Sequence, residues 1–204
     1  MDYINIEHDG DYFKKAKTRK YNYFTSQLHD RLFYTHQKTC ESRSKKLDRA
    51  NDSRMEKYVF ELKKLIFKPG EKANIPFLGD KTSIFEDPMI RYYDFKITNA
   101  FFNDNIDCYL FSAHVKQEFA DKNKVVIKHL ETYFDKSSFK VVGRDYQLAY
   151  SAGLYQFDVS IHIELEIIED LYYPSFITYD GFWNVPIKKR EFSKFQLSFF
   201  DFKP

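Results

Sequence analysis

The sequence predicts an α+β protein: an N-terminal helical hairpin, then a mostly antiparallel β-sheet of five to seven strands with one helix packed on it. Three observations carry this expectation. Apolar residues recur at helical spacing before Pro69-Gly70, they alternate at period two after it, and 22 Phe and 16 Tyr among 204 residues can fill a sizeable core. With 30% charged residues and only six Gly and six Pro, the composition favours a folded globule over disorder. Two regions follow: a basic helical region over 1–68 and an aromatic-rich antiparallel β domain over 69–204, whose one helix spans about 116–134.

The first helix is expected from Tyr12 to Tyr34, where Tyr21, Phe24, Leu28 and Leu32 make one apolar stripe. From Gln37 to Arg54 the chain is polar, with only Cys40, Leu47 and Ala50 interrupting, and reads as an exposed helix or a loop. Ser53 and Glu56 have the spacing of a reciprocal N-terminal cap for the second helix. Met55, Tyr58, Val59, Leu62, Leu65 and Ile66 then follow at helical spacing. Lys63, Lys64 and Lys68 suit the negative end of the helix dipole, and Pro69-Gly70 stops it.

Beyond Gly70, Tyr93, Phe95 and Ile97 alternate with polar residues as a half-buried strand, Asn103-Asp104-Asn105 turns the chain, and Ile106 to Val115 returns. Phe119, Val126, Leu130 and Tyr133 suggest a helix from Lys116 to Phe134. Phe139 to Tyr150 and Leu154 to Ile168 form a second hairpin around Ser151-Ala152-Gly153. In its second arm Tyr155, Phe157, Val159, Ile161, Ile163, Leu165 and Ile167 are apolar at every other position, the clearest periodicity in the chain. Pairing Tyr150 with Tyr155 sets Leu148 opposite Phe157 and Tyr146 opposite Val159, with a bulge near Gly143-Arg144. Phe176 to Phe182 and Phe192 to Phe202 are further strands, the last changing parity at Phe200 and Phe202. Asn184 to Arg190 is the loop between them.

Charge is unevenly spread. Residues 11–68 hold 16 Lys and Arg against seven Asp and Glu, whereas 69–204 hold 16 against 20. The asymmetry reads either as a solvated helical face or as a basic arm that meets nucleic acid or an acidic partner subunit. Its contact residues would be Lys38, Arg43, Lys45, Lys46, Arg49 and Arg54, joined by the loop cluster Lys188, Lys189 and Arg190.

Motifs for chemistry are sparse. Cys40 and Cys108 are too few for a disulfide framework or a zinc site, and Cys108 reads as a small buried hydrophobe. Cys40 has basic neighbours but no identifiable His and acid partner. His29 with His36, and Glu7-His8-Asp9, are incomplete as metal sites. No phosphate-binding glycine pattern occurs, and no cofactor is expected. The first residues form no secretory signal and no apolar run reaches ~18 residues. The expected setting is therefore the cytoplasm of a cell or host, with a virion-associated place open and no membrane.

Asp158, His162 and Glu164, with Glu166, share the polar side of the long strand, neighbours spaced ~6.5–7 Å apart. His162-Ile163-Glu164 resembles the paired-His strand of rolling-circle replication nucleases, although the second His is missing. That resemblance implies a metal-dependent nuclease; the alternation alone implies a solvated polar face. The order hairpin–helix–hairpin is similar to small phage neck and tail-completion proteins.

The leading expectation is thus a non-enzymatic assembly or interaction protein, of the kind that forms a neck, ring or tail-completion subunit of a virus or phage particle and self-associates into a homo-oligomer. Nucleic-acid binding through 11–68 is the alternative, and a nuclease at Asp158, His162 and Glu164 the third.

Overall fold

The computed structural model describes residues 22–25, 60–61, 64–75, 78–120, 123–186 and 188–199. Seven antiparallel strands make one sheet in sequential order: β1 Tyr93–Phe102, β2 Ile106–Val115, β3 Ile127–Asp135, β4 Val141–Ala152, β5 Tyr155–Ile168, β6 Leu171–Asn184 and β7 Glu191–Ser198. Helix among the described residues is confined to 24–25, 60–61, 64–67 and three short 3-10 turns. The described residues therefore form an antiparallel meander with very little helix, and the expected helical hairpin with a packed helix is overturned. The end of the second expected helix survives: 64–67 is helical and the chain turns at Pro69-Gly70.

The helix expected over 116–134 is instead the 3-10 turn Gln117–Phe119, a loop and strand β3. A bulge explains the misreading. Ile127 pairs with Leu148 and His129 with Gln147, so Lys128 is an extra residue. It puts Ile127 and Leu130 on one face, while Tyr133 packs with Phe102 and Cys108 on the other, so the expected stripe of Val126, Leu130 and Tyr133 joins two faces of a strand.

The β4–β5 hairpin forms two residues out of the expected register. Its turn is Gly153-Leu154 alone, Ala152 faces Tyr155, and Tyr150, Leu148 and Tyr146 face Phe157, Val159 and Ile161. A two-residue shift leaves every side chain on its original face, so matching apolar faces cannot detect it. The turn decides, because Gly153 takes φ +57° without steric cost. The bulge near Gly143 is present, at Val142, but it lies in the β3–β4 ladder. β6 begins earlier than expected, after the two-residue turn Glu169-Asp170 with both φ values positive. It carries Pro174 beside a bulge, where a missing amide costs no ladder bond. Phe200 and Phe202 lie outside the described residues.

One sheet face packs on the irregular layer 64–92. Leu65, Ile66, Ala73, Leu78, Ile84 and Met89 meet Tyr146, Leu148, Phe157, Val159, Ile161, Ile163 and Ile177 in the main core. β4 anchors the layer: the Tyr146 hydroxyl donates to the Ile66 carbonyl at 2.6 Å and the Arg144 guanidinium donates to that of Phe67. Both bonds satisfy carbonyls at a helix C-terminus, where a cation is also favoured.

The opposite face is mainly polar, with a small second core of Phe102, Cys108 and Val142 against Ile106 and Tyr133. Cys108 is fully buried, as its alternation predicts. Phe102 lies across Gly143, where a Cβ would sit 2.2 Å from its ring, and its ring centroid is 6.1 Å from that of His162. In a flat sheet β1 and β5 stand ~19 Å apart. The sheet therefore coils toward its polar face at this corner, and Gly143 leaves the space that the coil needs.

Candidate functional site

The polar face gathers side chains from six strands. His114 of β2 lies beside His129 of β3, ring centroids 6.0 Å apart, and its Nε2 is 3.7 Å from Glu131. Asp145 of β4 stands opposite His162 of β5, and Thr178 of β6 stands opposite His162 on its other side. Further along, Lys194 of β7 pairs with Asp180 of β6 at 2.7 Å. His129, Asp145, His162, Thr178, Asp180 and Lys194 line a shallow hollow of about 460 Å³.

His162 is held between two carboxylates. Its Nδ1 is 2.7 Å from Asp145 and its Nε2 is 3.5 Å from Glu164. The Asp145 hydrogen bond, with Glu164 adding to it and burial opposing, raises its pKa above the usual imidazole value. A ring whose two nitrogens both face carboxylates favours the cation and leaves neither nitrogen directed at a substrate proton. The arrangement is that of an ion-pair clamp. His129 behaves oppositely, as burial lowers its pKa and favours the neutral ring.

Of the three residues expected together, the structure joins only His162 and Glu164. Asp158 lies four positions along the strand, ~13 Å away, and accepts a 2.7 Å bond from the Gln147 amide. No group of three or more His, Cys, Asp or Glu among the described residues is arranged to hold a metal ion. Asp145 is the partner that sequence reasoning missed. The expected register placed it opposite Ser160, and the two-residue shift alone brings it to His162.

The basic loop is partly engaged within the molecule. The Lys189 amide donates to the Asn22 carbonyl at 2.9 Å, and the Arg190 guanidinium lies 4.9 Å from the Phe182 ring and 5.8 Å from that of Phe192. Beside them, buried Glu191 accepts the Thr25 amide at 2.8 Å and hydroxyl at 2.9 Å, while burial raises its pKa. Lys38, Arg43, Lys45, Lys46, Arg49 and Arg54 lie outside the described residues, as do Cys40, His29, His36 and Glu7-His8-Asp9.

A third surface was not foreseen. β1 is a terminal strand, and among the described residues its outer edge pairs with no other strand. Ile97 is 68% exposed and Phe101 67%, both on the side that forms the main core elsewhere. Phe85, Phe95 and Phe111 cluster beside them with ring centroids 5.9–6.0 Å apart, and Tyr109 stacks on exposed Phe139 at 6.1 Å. The groove among these rings encloses about 790 Å³.

No protein-family model, curated protein or solved structure matches the chain. No helix among the described residues is long and apolar enough to cross a membrane.

Proposed function

We propose that this is a non-enzymatic association protein whose β1 edge joins a second copy of the chain into a homo-oligomer. One observation carries the reading: a strand edge with no pairing strand among the described residues lies beside an exposed apolar row, Phe95, Ile97 and Phe101. Such an edge is a template for strand addition.

The occupant is a second copy because the edge is complementary to itself. The Lys116 amide donates to the Tyr92 carbonyl at 2.9 Å, so even-numbered residues of β1 turn their backbone groups toward β2. Phe95, Ile97 and Tyr93 therefore turn theirs outward. Two β1 strands crossing antiparallel at Phe95 would exchange bonds there and between Tyr93 and Ile97. Asp94 of each copy would then face Lys96 of the other at a close, non-hydrogen-bonded pair, where opposite charges help. On the other side the apolar rows would merge and cover the groove. A cytoplasmic setting, and a subunit role in a larger particle, go with this reading.

Sedimentation velocity over a wide concentration range tests it. Wild type should shift to dimers or larger species, Ile97→Lys should stay monomeric, and Asp94→Lys with Lys96→Asp together should restore association lost in either single variant. A wild-type monomer at every concentration would end the proposal.

A further inference from the structure

The geometry points to a binding site, separate from the β1 edge, for an anion carrying a planar aromatic ring, the chemistry of a nucleotide. A hollow of about 860 Å³ lies between the loop 78–92 and the β2–β3 connection. Buried Leu78 and Met89 line it with the rings of Tyr92 and Phe119, which meet edge to face at 4.8 Å. Lys81 and Arg91 of the loop and Lys124 of the connection also line it.

The charges are what make the hollow selective. Among the described residues no carboxylate forms an ion pair with Lys81, Arg91 or Lys124. Each is seated against an aromatic ring instead: Lys81 at 4.5 Å from the Tyr150 centroid, Arg91 at 5.0 Å from Tyr92 and Lys124 at 5.8 Å from Phe119. Lys81 also donates to the Tyr150 hydroxyl at 3.2 Å and Arg91 to that of Tyr92 at 3.0 Å. Asp80, the acid in the lining, is occupied by Lys72 at 2.5 Å. Arg91 and Lys124 over the floor's own rings, and Lys81 at the rim over Tyr150, keep their charge available to a ligand. Phosphate oxygens suit the cations, a base suits the rings, and the volume is that of small-molecule sites.

The ligand could be a free nucleotide or part of a single strand, and competition separates these sources. The full chain is titrated into a fluorescently labelled adenosine triphosphate and followed by anisotropy. Unlabelled mononucleotide, a short single-stranded oligonucleotide and inorganic phosphate serve as competitors. Saturable binding is expected, weakened about tenfold or more by Arg91→Ala with Lys124→Ala and several-fold by Phe119→Leu, all with unchanged thermal unfolding. Oligonucleotide competing better than mononucleotide assigns the site to a strand; equal competition assigns it to free nucleotide. Three results overturn the proposal: no saturable binding, binding unaffected by the double variant (which moves it to the basic region 11–68), or phosphate competing as well as nucleotide.

Discussion

Strands β5 and β1 carry the same period-two pattern and meet opposite fates. In β5, Phe157, Val159, Ile161 and Ile163 are all buried, Ile163 to 1% exposure. In β1, Phe95 and Ile97 lie on the same face of the same sheet and remain open. The difference is what stands above them. The layer 64–92 and neighbouring strands cover the centre of the sheet, whereas among the described residues β1 has a neighbouring strand on one side only. Alternation tells which residues share a face; it says nothing of whether that face is covered.

The contrast can be broken most directly by paired truncations. Ile163→Ala should cost about 2–5 kcal/mol in chemical denaturation, while Ile97→Ala in the monomer should stay within about 0.5 kcal/mol. Equal losses would mean that β1 is as well packed as β5. Next in size is Gly143→Val, which forces a side chain into the Phe102 ring and should cost about 1–3 kcal/mol by the same measurement. An unchanged midpoint would show that the coil of the sheet does not depend on that gap. Tyr146→Phe keeps the ring but strips the Ile66 carbonyl of its partner, for an expected loss of about 1–2 kcal/mol.

The smallest effect belongs to the polar clamp. The folded pKa of His162 is raised from 6.5, chiefly by the Asp145 hydrogen bond. Its stabilisation is therefore fully present below about pH 6.5 and is lost as pH rises through the raised folded value. His162→Gln should lower stability at pH 6 by about 1 kcal/mol and flatten its decline toward pH 8. A variant that keeps the wild-type pH slope would place the titrating group elsewhere.

Much of the sheet was legible in the sequence. The first hairpin, the turn at 103–105, the long strand at 155–168 and the loop before β7 all follow from alternation and turn residues, which act locally. β3 was not, because the extra residue at Lys128 disguises its period. The candidate sites were read less well. His162 and Glu164 were recognisable as neighbours on one strand, but Asp145 depends on a cross-strand register that face matching leaves open by two. Lys81, Arg91 and Lys124 had no shared motif, since Lys81 and Arg91 stand ten residues apart and Lys124 lies beyond two strands.

By itself the sequence determined which side chains of β1 and β5 share a face and that the chain turns at 103–105, since each is a property of residues near one another. Tertiary structure alone decided the covering of β5 and the exposure of Phe95 and Ile97 on β1. It also decided the meeting of Lys81, Arg91 and Lys124 around one hollow. Those depend on contacts between distant segments, whose free energies no local pattern contains.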